Sequence, residues 1–379
     1  MIRITAAALW VCLVWLGASL GAQTVSFQRS TVHESGSARM RSGAILAGEG
    51  DKPHRLLTWG DGMRVIPLPK GRVEQTSIEA PVGPGGCVVD VNMDGLADVV
   101  AYEPPPPPGK GADASKAPQL GSMVWYAAPD WKRHLIDTEA QFRDCMGTLM
   151  FGKRGILIVH RFAQVRFYEV PEQFDQKWPY REIYSIYTPS DQGGLLRADV
   201  DGDGQTDILT GNYWLRSPQT PDGQWRLFAI NKWWEKQRSA MLRLAMAKPN
   251  DTPFPVLFAA EAEARPARLA WFERPADPTQ FWNQTSLDTM PALARPSAIL
   301  TADLNGDLRP DLVVGENNGA KSRLLVFWGL GSGSYQATRV DEMPGVTGLW
   351  TLDLDADGDL DIVGLSRNRV VVWYNQRRK

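Results

Sequence analysis

One acidic nine-residue pattern, written four times, constrains the fold of this chain more than any other feature. It reads DVNMDGLAD from Asp90, DVDGDGQTD from Asp199, DLNGDLRPD from Asp303 and DLDADGDLD from Asp353. Each copy places an oxygen-bearing side chain at positions one, three, five and nine, a spacing that wraps a tight turn around a hard cation such as calcium. Asp, Asn and Gly are common turn formers in any case. Two carboxylates about 4 Å apart, however, repel by about 1 kcal/mol in water and by several in a partly dry loop. Repetition at one spacing therefore points to a bound cation.

Aligning the chain on these patterns exposes a longer repeat. In one unit GLLRAD leads into the acidic loop, DILTGN leaves it, YWLRSP follows and QWRLFAI closes, which reads as four short strands joined by turns. The unit around Asp90 repeats this as GCVVD, DVVAYE, MVWYAAP and WKRHLID, and the unit around Asp303 as SAILTAD, DLVVGEN, LLVFWG and YQATRV. Three further units keep the strands and lose the acids; one of them has Lys153 and Arg154 at the corresponding turn. Seven units of about 50 residues, the size of a propeller blade, predict an all-β, seven-bladed β-propeller of four-stranded antiparallel blades. The last unit stops after RVVVWYN without a fourth strand, and TVSFQRSTV from Thr24 precedes the first unit. Pairing that N-terminal strand with the last blade would close the ring and leave no orphan edge.

The ends and the cysteines add context. Met1–Arg3 gives a short basic start, Ala6–Leu20 an apolar run, and SLGAQ near Ala22 a small-residue cleavage region. Residues 1–22 thus read as a secretory signal peptide and 23–379 as a single propeller. The apolar run is too short for a comfortable membrane span. No span is expected in the mature chain, which should be secreted, extracellular or periplasmic. Cys12 falls within the signal. Cys87 and Cys145 remain, both near the start of inner strands of neighbouring units, where a disulfide and a pair of buried thiols are both compatible with the sequence. The formal charge of −2 would become positive with four calcium ions bound, and outside the acidic loops bases outnumber acids. That balance favours an acidic glycan or polymer over a basic partner.

With its DxDxDGxxD loops flanked by strands on both sides, the chain resembles the FG-GAP/VCBS repeat family of calcium-binding β-propellers, related in architecture to the integrin α-subunit head. The resemblance implies binding or adhesion roles in secreted proteins, with catalysis confined to particular subfamilies. It also implies the ligands. In blade two they are Asp90, Asn92, Asp94 and Asp98, and in blade four Asp199, Asp201, Asp203 and Asp207. Blade six supplies Asp303, Asn305, Asp307 and Asp311; blade seven supplies Asp353, Asp355, Asp357 and Asp361. The carbonyls of Leu96, Gln205, Arg309 and Asp359 complete the four sets at position seven. Gly95, Gly204 and Gly358 occupy position six, where the chain turns sharply. Blade six has Leu308 there, so its site is expected to be the weakest.

Partner-binding residues are sparser. Trp125, Trp271, Trp328 and Trp373 recur on third strands and are expected to pack between blades. Tyr213 and Trp214 at a turn, Trp233 and Trp234 on a connecting loop, and the proline run from Pro104 all map to the rim opposite the acidic loops. That rim is expected to hold the ligand. No His cluster, nucleophile elbow or phosphate loop is found, so the chain is read as a non-enzymatic module for a glycan or an envelope protein, monomeric and without a nucleic-acid partner. Two alternatives are a structural envelope component and a propeller enzyme such as a polysaccharide lyase or quinone-dependent dehydrogenase. Convergent His, Lys, Arg and carboxylate groups at the ring centre would favour the enzyme, a flat aromatic or basic face the binder.

Overall fold

The computed structural model describes residues 25–48, 52–107, 120–174, 176–187, 191–233, 241–250 and 252–377. The signal segment, Trp234 and most of the insertion after Pro107 lie outside these residues.

Among the described residues the strands form seven four-stranded antiparallel sheets, six of them consecutive meanders. Blade two runs Cys87–Val89, Asp98–Glu103, Gly121–Ala127 and Lys132–Ala140; blade four runs Leu196–Ala198, Asp207–Thr210, Tyr213–Arg216 and Arg226–Ala229. Blade six comprises Pro296–Ala302, Asp311–Glu316, Arg323–Gly331 and Ser334–Glu342. Blade seven takes three strands from the C-terminal segment, Val346–Leu352, Asp361–Ser366 and Arg369–Asn375, and its fourth, Phe27–Glu34, from the N-terminal segment. That strand pairs from Phe27 opposite Asn375 to Glu34 opposite Arg369. The all-β, seven-bladed reading of the sequence is borne out.

The sequence runs VVA, ILIV and LVV on second strands are continuous, not alternating, because each middle strand is covered on both faces by the adjoining blades. Val99, Val100 and Ala101 are all fully buried, as are Ile156, Leu157 and Ile158. Among the described residues seven apolar clusters result, one at each blade junction. The last joins Met40, Leu56 and Ile66 of blade one to Val363, Val370 and Val372 of blade seven. At about 1.5–3 kcal/mol for each fully buried large aliphatic side chain, these junctions dominate the ring's cohesion. Trp125, Trp271 and Trp373 belong to them, and Trp328 packs at the edge of one.

Candidate functional site

Every acidic loop joins the first strand of its blade to the second, so the four loops share one face of the ring. Their backbones are nearly identical, and the reason lies in position one. Both Asp199 oxygens accept loop N–H groups, Oδ1 from Gly202 and Asp203, and Oδ2 from Gly204. Asp90, Asp303 and Asp353 repeat this for positions five and six of their loops. Position five in turn accepts the N–H of position seven in all four loops, as Asp94 does from Leu96 at 2.8 Å. The carboxylates thus shape the turn before any ion is considered.

Two positions per loop take a left-handed backbone for that shape. Position six is left-handed, as the glycines foretold, with φ of +82° at Gly95, +83° at Gly204, +89° at Gly358 and +65° at Leu308. Position four is left-handed as well, at Met93, Gly202, Gly306 and Ala356. Only blade four has glycine at both. Blades two, six and seven each carry one side chain where L residues are disfavoured, so Leu308 does not single out blade six as the expectation held.

Position nine behaves differently from the rest. Asp98, Asp207, Asp311 and Asp361 begin the second strands and are fully buried. In each, one oxygen accepts the N–H of loop position two, and the other an N–H near or just beyond the end of the third strand. For Asp207 these donors are Val200 at 3.0 Å and Ser217 at 2.7 Å; for Asp311 they are Leu304 and Gly329, both at 2.9 Å. Asp98 and Asp361 bond in the same way. Burial pushes Asp207 and Asp361 up to about 6 and Asp311 up to about 7, while these N–H donors pull the other way. Among the described residues, Asp207 is the position-nine carboxylate that comes together with other carboxylates of its loop closely enough to share an ion.

The fit to a cation can be tested on spacing. In blade four, carboxylate oxygens of Asp199, Asp201 and Asp207 lie within 4.8 Å of one another, and in blade seven those of Asp353, Asp355 and Asp357 do the same. Both sets match a hard, oxygen-seeking ion. In blades two and six, Asn92 and Asn305 replace one carboxylate and donate Nδ2 to Asp94 and Asp307 at 2.9 and 3.1 Å. Basic residues brace the same rim. Arg216 pairs with Asp201 at 2.6 Å and with Asp203 at 3.4 Å, Arg377 pairs with Asp359, and Arg154 of blade three caps the Asp90 carbonyl of blade two at 2.6 Å.

On the opposite face the first strands begin, and there a central cavity of about 440 Å³ opens. Its lining carries Arg41, Arg143, Arg243 and Arg295 from four different blades, with Asp144 and Glu263. Among the described residues that line it there is no histidine, lysine or aromatic side chain. Cys87 and Cys145 are joined as a disulfide at this mouth, with a Cα separation of 5.5 Å, tying the inner strands of blades two and three. The arginines went unread in the sequence, although RSGAIL, RDCMGTLM, RLAMA and RPSAIL place an arginine near the start of four inner strands.

The aromatic ligand candidates need correcting. Trp214 is 0% exposed and Trp233 5%, both inside the junction of blades four and five, and Tyr213 is buried as well. Trp233 packs edge-on against Phe272, carries the Arg268 guanidinium over its ring and donates Nε1 to Gln284 at 3.1 Å. A ring this deeply buried, with a guanidinium over one face and its N–H already bonded, has nothing left to stack on a ligand.

No curated protein matches the sequence. Solved structures do, at identities that speak to fold alone. BBS1N, crystallised in complex with ARL6DN, aligns with a TM-score of 0.55 at 10% identity over 91% of this chain and 95% of that one. YCF48 from Cyanidioschyzon merolae aligns with 0.52 at 9% over 92% and 98%. The extracellular domain of the putative one-component system BT4673 from B. thetaiotaomicron aligns with 0.53 at 11%, over 91% of this chain but 39% of that longer one. Residues 303–364, which include the acidic loops of blades six and seven, match the FG-GAP-like repeat. With that repeat and a ring of seven four-stranded blades, the chain fits the FG-GAP/VCBS repeat family of β-propellers.

Proposed function

We propose that this protein is a secreted, calcium-stabilised binding module that engages a polysaccharide or an envelope protein on the face opposite its acidic loops. A propeller with FG-GAP-like repeats is a binding or adhesion-type module in general. The finer reading rests on one observation: the cation-type loops and the central cavity occupy opposite ends of the same inner strands. One face is then stiffened by metal and the other is left to meet a partner.

Calcium would be held by positions one, three, five and nine of each loop, with the position-seven carbonyl. It would supply charge neutralisation for converging carboxylates, and so stability in place of chemistry. The chain's own residues perform the rest: position one shapes the turn, and position nine ties it to the third strand. At the cavity, four arginines drawn from four blades favour recognition of an anionic group.

A glycan array and an envelope-extract pull-down with calcium-loaded protein test this reading, using one variant set on each face. Binding abolished by charge reversal at Arg243 and Arg295, and retained on changing the exposed Leu149 and Leu330 of the loop face, is the expected result. The opposite pattern would place the partner on the wrong face.

A further inference from the structure

We infer that the central cavity is an oxyanion-recognition site, built to take the acidic group of a saccharide, with Arg295 as its anchor and Arg143 released to it by Glu263. This deepens the proposed function and rests on it for the choice of face.

The four cavity arginines differ in how firmly they are engaged. Arg41 is held from behind, donating to Asp61 at 3.0 Å and to the Val82 carbonyl at 2.6 Å. Arg243 donates to the Ser297 carbonyl at 3.0 Å and meets Asp144 only at 3.7 Å. Asp144 itself is also bonded to the Gly194 N–H. Arg143 reaches across blade four to Glu263 of blade five at 2.9 Å, a pair about one-third to one-half exposed. Such solvated pairs contribute little and exchange easily. A better-placed anion can therefore take Arg143 from Glu263 at small cost.

Arg295 is the unspent charge. Its guanidinium has no hydrogen bond or ion pair among the described residues, yet its backbone is fixed. It sits at φ +54°, with its N–H donated to the Ala264 carbonyl and its own carbonyl accepting from Asn317, both at 2.9 Å. A non-glycine residue kept in a left-handed conformation by bonds on both sides is a position the fold over-determines. Guanidiniums favour carboxylate and sulfate groups because their forked donors match two oxygens at once. Among the described residues the lining holds four of them against two carboxylates, and its polar groups suit the hydroxyls that flank an acidic group on a sugar.

Isothermal titration of the full, calcium-loaded protein tests this with three probes of equal length: an oligogalacturonate, a heparin-derived sulfated oligosaccharide and a neutral cellooligosaccharide. An acidic probe should bind, more weakly as salt rises, and the neutral one should not; whichever acidic probe is tighter identifies the source of the oxyanion. Arg295→Gln should weaken binding by at least about tenfold, the loss typical of a charge-assisted bond. Glu263→Gln should strengthen it severalfold by freeing Arg143, an outcome that a merely structural role for Glu263 would not give. The inference fails if neither acidic probe binds, if Arg295→Gln and Arg143→Gln leave affinity unchanged, or if Glu263→Gln weakens it. If the probes fail while another partner still maps to this face, the proposed function survives. Partner binding that maps to the acidic-loop face would remove the proposed function itself.

Discussion

Single residues decide how comfortably each acidic loop closes. Glycine at position six announced one left-handed turn, and the sequence alone made that legible. The second, at position four, was hidden because Met93 and Ala356 adopt it without being glycine. Their conformation follows from the N–H groups that position one gathers in, a constraint visible only in three dimensions. Leu308 is 72% exposed, so replacing it loses little burial. Leu308→Gly should therefore raise stability by about 0.5–1 kcal/mol, the size of a relieved left-handed side chain, read from denaturant melts. Gly204→Ala, where a Cβ meets open space, should lower it by about 1 kcal/mol for the same reason. Equal effects of both substitutions would argue that backbone strain is not the controlling factor.

His160 makes a separate residue-scale prediction. It is buried at the end of a second strand, and burial, helped by Arg166 and Arg161, pushes its imidazole down to about 4. The folded protein keeps it neutral while the unfolded chain protonates it near pH 6.5. The stability it contributes is complete above that pH and is lost as pH falls from about 6.5 towards 4, by something on the order of 3 kcal/mol. Urea melts at both ends of this window should show a smaller acid loss for His160→Gln than for the parent. A parallel loss in both would assign the acid sensitivity to other groups.

At the scale of the strand and blade, the sequence was most informative where pattern and packing agree. Continuous apolar second strands and their turns were readable because burial on both faces leaves no polar alternation to blur them. The aromatic candidates misled for the same reason: Trp214 and Trp233 lie near turns in sequence, but the blade junction swallows their rings. The strand Phe27–Glu34 belongs to the readable class, since a blade of three strands leaves an open edge on Arg369–Asn375. Removing residues 27–34 should expose that edge and the Phe27 contact with Trp328. Size-exclusion chromatography is then expected to show aggregation; a monomeric deletion protein with the parent's melting temperature would contradict it. The disulfide adds a second clamp across 58 residues of sequence. Cys87→Ala with Cys145→Ala should cost about 2–4 kcal/mol, measured by chemical denaturation.

The whole molecule is a ring with two unlike faces. Four loops crowd carboxylates at one end of the inner strands, and four arginines surround a cavity at the other. The acidic face was legible because its spacing is fixed within nine residues. The cavity was not, because its members come from blades far apart in sequence and meet only when the ring closes. If the loops hold calcium at extracellular-type affinity, millimolar ion contributes about 0.5–1.5 kcal/mol per site, summed over the ring. The most direct test is a calorimetric melt of metal-analysed protein before and after chelation. Calcium present in the purified protein, a lower melting temperature after its removal, and recovery on adding calcium but not sodium are the predicted results. A calcium-loaded protein whose melting temperature is unchanged by chelation would contradict the account.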